Sequence, residues 1–311
     1  MTLVQKNVPN IADKFNIRGI LMQDEPMWRH TTFRVGGPAA VFAVPEDEQD
    51  LAALFRAAKA EKMPLFILGG GSNLLVADEG INALVTDMRR FNGLEVRDNL
   101  LILDSGLDIS DAAWNAGTRG LAGPDAFFGM PGTVGGAVWM NARCYGTEIS
   151  HLLEWVEVMD PDGKIHTLAL NPDEWAYKKS PFQNSDAVIL RAALRVHDAD
   201  PAELRRTMLE HRDDREAKGH FRAPCAGSAF KNNRDFGAPS GVLIDRCGLK
   251  GLRIGDAAVA PWHGNIVIND GKASARDIRR LLEKIAADVE AQTGFRMENE
   301  VLLTGSWPAS R

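Results

Sequence analysis

The sequence predicts a mixed α+β chain of two or three subdomains organised around anion-cradling loops. Two glycine-rich segments carry this most strongly: FILGGGSNLLV, from Phe66 to Val76, and GMPGTVGGAVWMNA, from Gly129 to Ala142. Each sets glycines after or between apolar, strand-like stretches, where backbone N–H groups can turn toward an anion that a Cβ would hold off. Helical and strand periodicities alternate along the rest of the chain. A length of 311 residues with 45% hydrophobic content exceeds one comfortable core and suits a globular protein. Neither glycine segment has the GxGxxG that opens a dinucleotide-binding helix, or the GxxxxGK[ST] of a P-loop. A different nucleotide fold is expected, with one long diphosphate ligand touching both loops.

The elements follow in order. Residues Glu46 to Lys62 place Leu51, Leu54, Phe55 and Ala58 at helical spacing behind an acidic start, and Pro64 to Leu68 reads as a short buried strand entering the first glycine loop. From Ala83 to Leu103, the stretches ALVTDM, GLEV and LLIL are broken by Asn92-Gly93 and Asp98-Asn99, which suits strands joined by turns. Ile109 to Gly120 reads as a helix. The alternation in LLEWVEVMDPDGKIHTLAL, centred on Asp160-Pro161-Asp162-Gly163, predicts a hairpin. After Val196 a charged helical stretch, HDADPAELRRTMLEHRDDREAKG, marks a boundary. Beyond it VLIDRCG reads as a helix or buried turn and Asn265 to Asn269 as a strand. Ser274 to Gln292 reads as an amphipathic helix with Ile278, Leu281, Leu282, Ile285 and Val289 on one face. The expected divisions are 1–83, 84–197 and 198–311.

Composition excludes several classes. A net charge of −6 supplies no global field for nucleic acid or an anionic membrane, so anionic ligands must be met locally. The start MTLVQKNVPN lacks the basic and apolar regions of a signal peptide, and no apolar run is long enough for a membrane span. A cytoplasmic protein is expected. Cys144, Cys225 and Cys247 form no CxxC pair and are odd in number, which predicts free thiols in a reducing compartment, with neither structural disulfides nor a metal site.

Four further segments join polar groups to rigid apolar contexts: AYKKSPFQ (176–183), AGSAFKN (226–232), GLKGLRIGDAAVAPWHGNIVIN (248–269) and RMENEVLLTG (296–305). Read as residues alone, Ser228 is a turn or strand-edge hydroxyl, Glu300 a solvated carboxylate no better placed than Glu298, and Lys178 a surface cation. The order TTFRVGG, LGGGSNLLV, GMPGTVGGAVWMNA, YKKS, GSAFKN, GLKG and ENEV, spanning Thr31 to Gly305, resembles the UDP-N-acetylenolpyruvoylglucosamine reductase family, also called UDP-N-acetylmuramate dehydrogenase. The short linkers and the overall length are similar to its type II branch.

The resemblance implies a two-subdomain FAD-binding unit of the vanillyl-oxidase (PCMH) type plus a smaller α+β substrate-binding domain. It also implies reduction of FAD by NADPH, followed by reduction of UDP-N-acetylglucosamine enolpyruvate in peptidoglycan precursor synthesis. It assigns Ser228 as proton donor, Glu300 as the acid at the enol, and Lys178 to a place where the family normally has arginine. An arginine grips a carboxylate through two parallel N–H bonds, whereas a lysine offers a point charge, and Lys179 or Arg143 are alternatives for that task. Gly69, Gly70, Gly71, Ser72, Asn73, Gly132, Thr133, Gly135 and Gly136 form the expected cofactor cradle. Asn232 is expected to share a strand face with Ser228 and Phe230 and so to meet substrate, and Lys250, Arg253 and His263 to meet the UDP diphosphate. For His263 the competing reading is a packed core histidine. The sequence departs from the family around Arg143-Cys144 and in FRAPCAGS; Cys144 is either a small buried apolar residue or a point of covalent flavin attachment. Two other functional classes remain: a paralogous FAD oxidoreductase with another acceptor, and a flavin or UDP-sugar binding protein without chemistry.

Overall fold

The computed structural model describes residues 8–308. They divide into two compact units, each assembled from separate stretches: residues 8–23, 41–70 and 83–213 in the first, and 24–40, 71–82 and 214–308 in the second. The α-helices are α1 Val8–Phe15, α2 Glu48–Ala60, α3 Ile109–Thr118, α4 Val134–Trp139, α5 Pro201–Ala217, α6 Ser240–Arg246 and α7 Ala275–Thr293. None among the described residues is long and apolar enough to cross a membrane. The extreme N-terminal residues of MTLVQKNVPN lie outside the described residues.

In the first unit, α2 and α3 form where the apolar spacing set them. Each opens on an aspartate cap, Asp47 accepting from the Asp50 N–H and Asp108 from those of Ser110 and Asp111, which satisfies donors the helix itself leaves unpaired. Strand Leu65–Leu68 leaves α2 and pairs in parallel with the Leu84–Asp87 end of strand Ile81–Asp87. A five-stranded antiparallel sheet follows, in the order Ile165–Ala169, Leu153–Met159, Val188–Arg195, Leu100–Asp104, Leu94–Arg97. Its outer hairpin turns where expected: Asp160 Oδ1 accepts from the N–H groups of Asp162 and Lys164, and Gly163 takes φ 81°. Leu101, Leu103, Ile109, Phe127, Val138, Val156 and Leu194 form the core between this sheet, α3 and α4. Each large side chain so buried contributes about 1.5–3 kcal/mol relative to exposure.

In the second unit, a four-stranded antiparallel sheet runs in the order Cys225–Ser228, Ile266–Asn269, Ala257–Val259, Arg253–Ile254. α7 covers it. Its N-terminus carries a capping box between Ser274 and Asp277, its C-terminus stops at Gly294 with φ 76°, and the five predicted apolar residues are all buried. They pack with Phe230, Val267 and Val301. Strands Leu74–Val76 and Leu302–Thr304 form a parallel pair in the same unit.

Two expectations change. The strand-like VGGAVW is helix α4, because Thr133 Oγ1 accepts from the Gly136 N–H at its start and Gly135 packs tightly against Ser105. The strand bearing Ser228 does not continue to Asn232. Gly227 takes φ 70°, the pairing with the neighbouring strand shifts register between Cys225 and Ser228, and the strand ends at Ser228. Asn232 therefore lies beyond the strand and shares no strand face with Ser228.

Candidate active site

Ser228 stands half-buried at that strand end, opposite Ile266. Beyond it the chain is held by one neighbour. The Ala229 N–H donates to the Asn265 carbonyl at 2.8 Å, the Phe230 N–H to Asn265 Oδ1 at 2.9 Å, and Asn265 Nδ2 back to the Phe230 carbonyl at 2.8 Å. The segment carrying Glu300 lies alongside: the Glu300 N–H donates to the Ala229 carbonyl at 2.9 Å, the Lys231 N–H to the Glu298 carbonyl at 2.9 Å, and Phe230 bridges to Asn299. On the other flank Asn73 Nδ2 donates to the Glu300 carbonyl at 3.1 Å, and the Leu302 N–H to the Asn73 carbonyl at 3.0 Å. Ser228, Glu300 and Asn73, far apart in sequence, thus sit in one hydrogen-bonded lattice. The two carboxylates that sequence could not separate differ here: Glu300 is half-buried, whereas Glu298 is exposed and paired with Lys231 at 2.5 Å.

The remaining candidates of the second unit have local partners. Asn232 is exposed, and its Oδ1 accepts from the Ser240 N–H at the start of α6. Lys250 pairs with Asp245 at 2.8 Å and Arg253 with Asp270 at 2.6 Å. His263 Nδ1 accepts from the Asn265 N–H at 3.1 Å, and its ring centroid lies 5.9 Å from that of His220. Burial, with Lys218 and Lys250 nearby, holds His263 below the ordinary histidine range, and burial with Arg215 pushes His220 down to about 4. Near pH 7 His263 is therefore a neutral hydrogen-bonding group and not a cation.

In the first unit the two glycine loops meet. A Cβ on Gly70 would stand 2.9 Å from Gly132 Cα, and one on Gly69 would collide with Thr133 Oγ1. The unit boundary falls after Gly70. In the second unit Gly71 takes φ 61°, and a Cβ there would collide with the His30 carbonyl. Among the described residues the N–H groups of Gly70 and Gly71 donate to no backbone carbonyl. Those of Gly135 and Gly136 are engaged, with the Ser105 carbonyl at 2.7 Å and Thr133 Oγ1 at 3.3 Å. The second glycine segment therefore packs closely at Gly135 and Gly136, while the Gly132 N–H, among the described residues, donates to no backbone carbonyl. Among the described residues, the hydroxyls of Ser105 and Thr86 in the first unit and of Thr32 in the second are buried with no hydrogen-bond partner. Leaving such a group unmatched costs about 1–3 kcal/mol. Within the first unit, the open amides of Gly70 and Gly132 and the orphaned hydroxyls of Ser105 and Thr86 fit a polar, diphosphate-bearing cofactor such as FAD.

Lys178 sits half-buried at φ 57° in a turn closed by Ala176 and Lys179. Asn141 Nδ2 donates to the Ala176 carbonyl at 2.8 Å, Gln183 Nε2 to those of Lys178 and Trp139 at 3.0 Å each, and Ser180 Oγ to Trp139 at 2.6 Å. The turn is thereby pinned to the end of α4. The ammonium lies 5.9 Å from the Tyr177 ring centroid, within cation–π range. Cys144 is buried in the apolar core of this unit, the setting of a small apolar side chain. Sequence reasoning missed Asn265 and Asn141, both buried, whose amides organise Ser228 and the Lys178 turn. Their signal is an asparagine within or at the edge of an apolar run.

Comparison with known proteins bears on the whole arrangement. The family model for the C-terminal domain of UDP-N-acetylenolpyruvoylglucosamine reductase matches residues 219–304, and the FAD binding domain model matches residues 38–169. A UDP-N-acetylenolpyruvoylglucosamine reductase from Borrelia garinii subsp. bavariensis is 38% identical over 301 residues, covering 96% of this chain and 97% of the relative. One from Heliobacterium modesticaldum is 37% identical, covering 93% and 92%. The crystal structure of the Thermus caldophilus reductase matches with a TM-score of 0.77 at 32% identity, covering 94% of this chain and 99% of that one. The fold is accordingly α+β, an FAD binding domain followed by the C-terminal domain of this reductase. With both models matched in order and relatives this similar over nearly their full length, the chain belongs to the UDP-N-acetylenolpyruvoylglucosamine reductase family.

Proposed function

We propose that this chain is an FAD-dependent oxidoreductase that uses NADPH to convert UDP-N-acetylglucosamine enolpyruvate to UDP-N-acetylmuramate for peptidoglycan synthesis. The lattice joining Ser228, Glu300 and Asn73 carries the reading, in a chain whose relatives bear that reductase name. FAD, when bound, supplies the hydride for the terminal carbon of the enolpyruvyl group, having accepted it from NADPH. The addition leaves negative charge shared between the neighbouring carbon and the carboxylate. Ser228 gives its hydroxyl proton to that carbon and is reprotonated from solvent, Glu300 hydrogen-bonds the enolate oxygen, and Lys178 offsets the charge.

Other residues complete the assignment. Gly69 to Asn73 face the cofactor diphosphate with amides and with the Ser72 and Asn73 side chains, while Gly132, Thr133, Gly135 and Gly136 shape the adjoining wall. Asn232, Lys250, Arg253 and His263 receive the UDP portion; Lys250 and Arg253 exchange Asp245 and Asp270 for phosphate, and His263 contributes as a neutral partner. Residues 1–83 and 84–197 act as the two FAD-binding subdomains and 198–311 as the substrate domain. A cytoplasmic location belongs to the same reading, supported by three cysteines outside any disulfide, and the net charge of −6 argues against a nucleic-acid partner. The test is anaerobic. Protein-bound flavin should bleach with NADPH and recolour with UDP-N-acetylglucosamine enolpyruvate; flavin that bleaches and stays colourless would point to another acceptor, and protein unable to hold flavin would remove the enzyme reading.

A further inference from the structure

Asn265 is 3% exposed, and both ends of its carboxamide are used on a single residue. Phe230 presents one donor and one acceptor, so only one amide orientation satisfies both, the oxygen toward its N–H and the nitrogen toward its carbonyl. The side chain thereby imitates a neighbouring strand. It does so where real strand pairing stops, just after the Ser228–Ile266 pair and the glycine-induced register shift. The Asn265 carbonyl also takes the Ala229 N–H, and the Ala229 carbonyl in turn takes the Glu300 N–H. Phe230 itself is fully buried in the apolar core, so no water can replace the amide there.

We infer that Asn265 is a positioning residue for proton delivery. It fixes the direction of Ser228 through Ala229 and Phe230, and through the Ala229 carbonyl it sets the spacing of Ser228 to Glu300. The inference rests on the proposed role of Ser228. It predicts that Asn265 matters for the half-reaction that needs a proton and little for the one that does not. Reduction of bound flavin by NADPH makes no use of Ser228, whereas reoxidation by the enolpyruvyl substrate does.

The experiment follows both half-reactions by anaerobic stopped-flow on flavin-loaded Asn265→Ala, Asn265→Asp and Ser228→Ala. With Asn265→Ala, flavin reduction should stay within about twofold of the parent, while reoxidation slows roughly 10- to 100-fold, the scale of a small misplacement, and its solvent deuterium isotope effect grows. Asn265→Asp adds a readout that general loosening cannot imitate. A neutral carboxyl can accept from the Phe230 N–H and donate to its carbonyl, but a carboxylate can only accept. Reoxidation by that variant should therefore recover as pH falls, along a limb absent from the parent. Equal slowing of both half-reactions, or no recovery at low pH, would overturn the positioning role, and the second variant decides the matter even if Asn265→Ala fails to hold flavin. If Ser228→Ala reoxidises normally, the reading of Ser228 itself is wrong; if it is blocked while Asn265→Ala is not, only the inference about Asn265 fails.

Discussion

The segment around Ser228 and the turn around Lys178 hold their functional groups in different ways. In the second unit, the residues flanking Ser228 and Glu300 are tied by main-chain bonds on both sides and by the buried amide of Asn265. In the first unit, the bonds from Asn141 and Gln183 pin the backbone of the Lys178 turn, and beyond it a flexible four-carbon stem carries the ammonium. The contrast shows which proposed task tolerates slack. Handing a proton to one carbon requires direction, and its rate falls steeply with misalignment. Balancing charge depends chiefly on distance, so a lysine at position 178 is able to meet the task proposed for it.

Mutations should separate these two sides. The largest effect is expected from Ser228→Ala: reoxidation of reduced flavin should fall about 10²- to 10⁴-fold, with reduction by NADPH unchanged. Glu300→Ala should cost roughly 10²- to 10³-fold in the same step, the range for losing one group that stabilises an oxyanion. Lys178→Ala should cost less, about 10- to 100-fold, as for one lost charge-assisted hydrogen bond, and Lys178→Arg should keep or raise turnover. A Lys178→Ala loss equal to that of Ser228→Ala would erase the contrast, and a large loss in Lys178→Arg would show that the lysine has a different task.

The smallest effect concerns pH and bears on the rigid side, because His263 accepts from the Asn265 N–H and neighbours His220. His220 is pushed from the ordinary 6.5 to about 4, chiefly by burial. Between those values the unfolded chain binds a proton that the folded chain does not, so stability falls as pH drops through that window and loses nothing further from this group below it. His263 acts in the same direction. Thermal melts of the parent between pH 7 and 4 should therefore show a steeper decline than those of His220→Gln; parallel curves would remove the histidine contribution.

Much of the fold was legible because its signals are local. α2, α3 and α7 show apolar spacing behind Asp or Ser caps, and the hairpin at Asp160 to Gly163 carries its own turn chemistry. What failed was set by one contact distant in sequence and by local backbone geometry that the residue types did not announce. VGGAVW reads as extended from its residues, and only the cap at Thr133 and the approach of Gly135 to Ser105 make it helical. The strand at Ser228 stops because Gly227 takes a positive φ, which its neighbours do not announce. The candidate site was visible as motifs, but the main-chain and amide bonds that bring Asn73, Glu300 and the Ser228 segment together were not, nor was the buried bracing of Phe230 by Asn265, a residue that reads in sequence as the polar edge of an apolar strand.

The central claim is that the two hydrogens added to the enolpyruvyl group arrive separately, one as hydride through flavin and one as a proton through Ser228. It is tested most directly by turning over UDP-N-acetylglucosamine enolpyruvate in D₂O with unlabelled NADPH, and locating deuterium in the product by NMR. The account predicts deuterium at the carbon beside the carboxylate, at a rate that collapses in Ser228→Ala while flavin reduction continues. Incorporation at an unchanged rate in Ser228→Ala would contradict it.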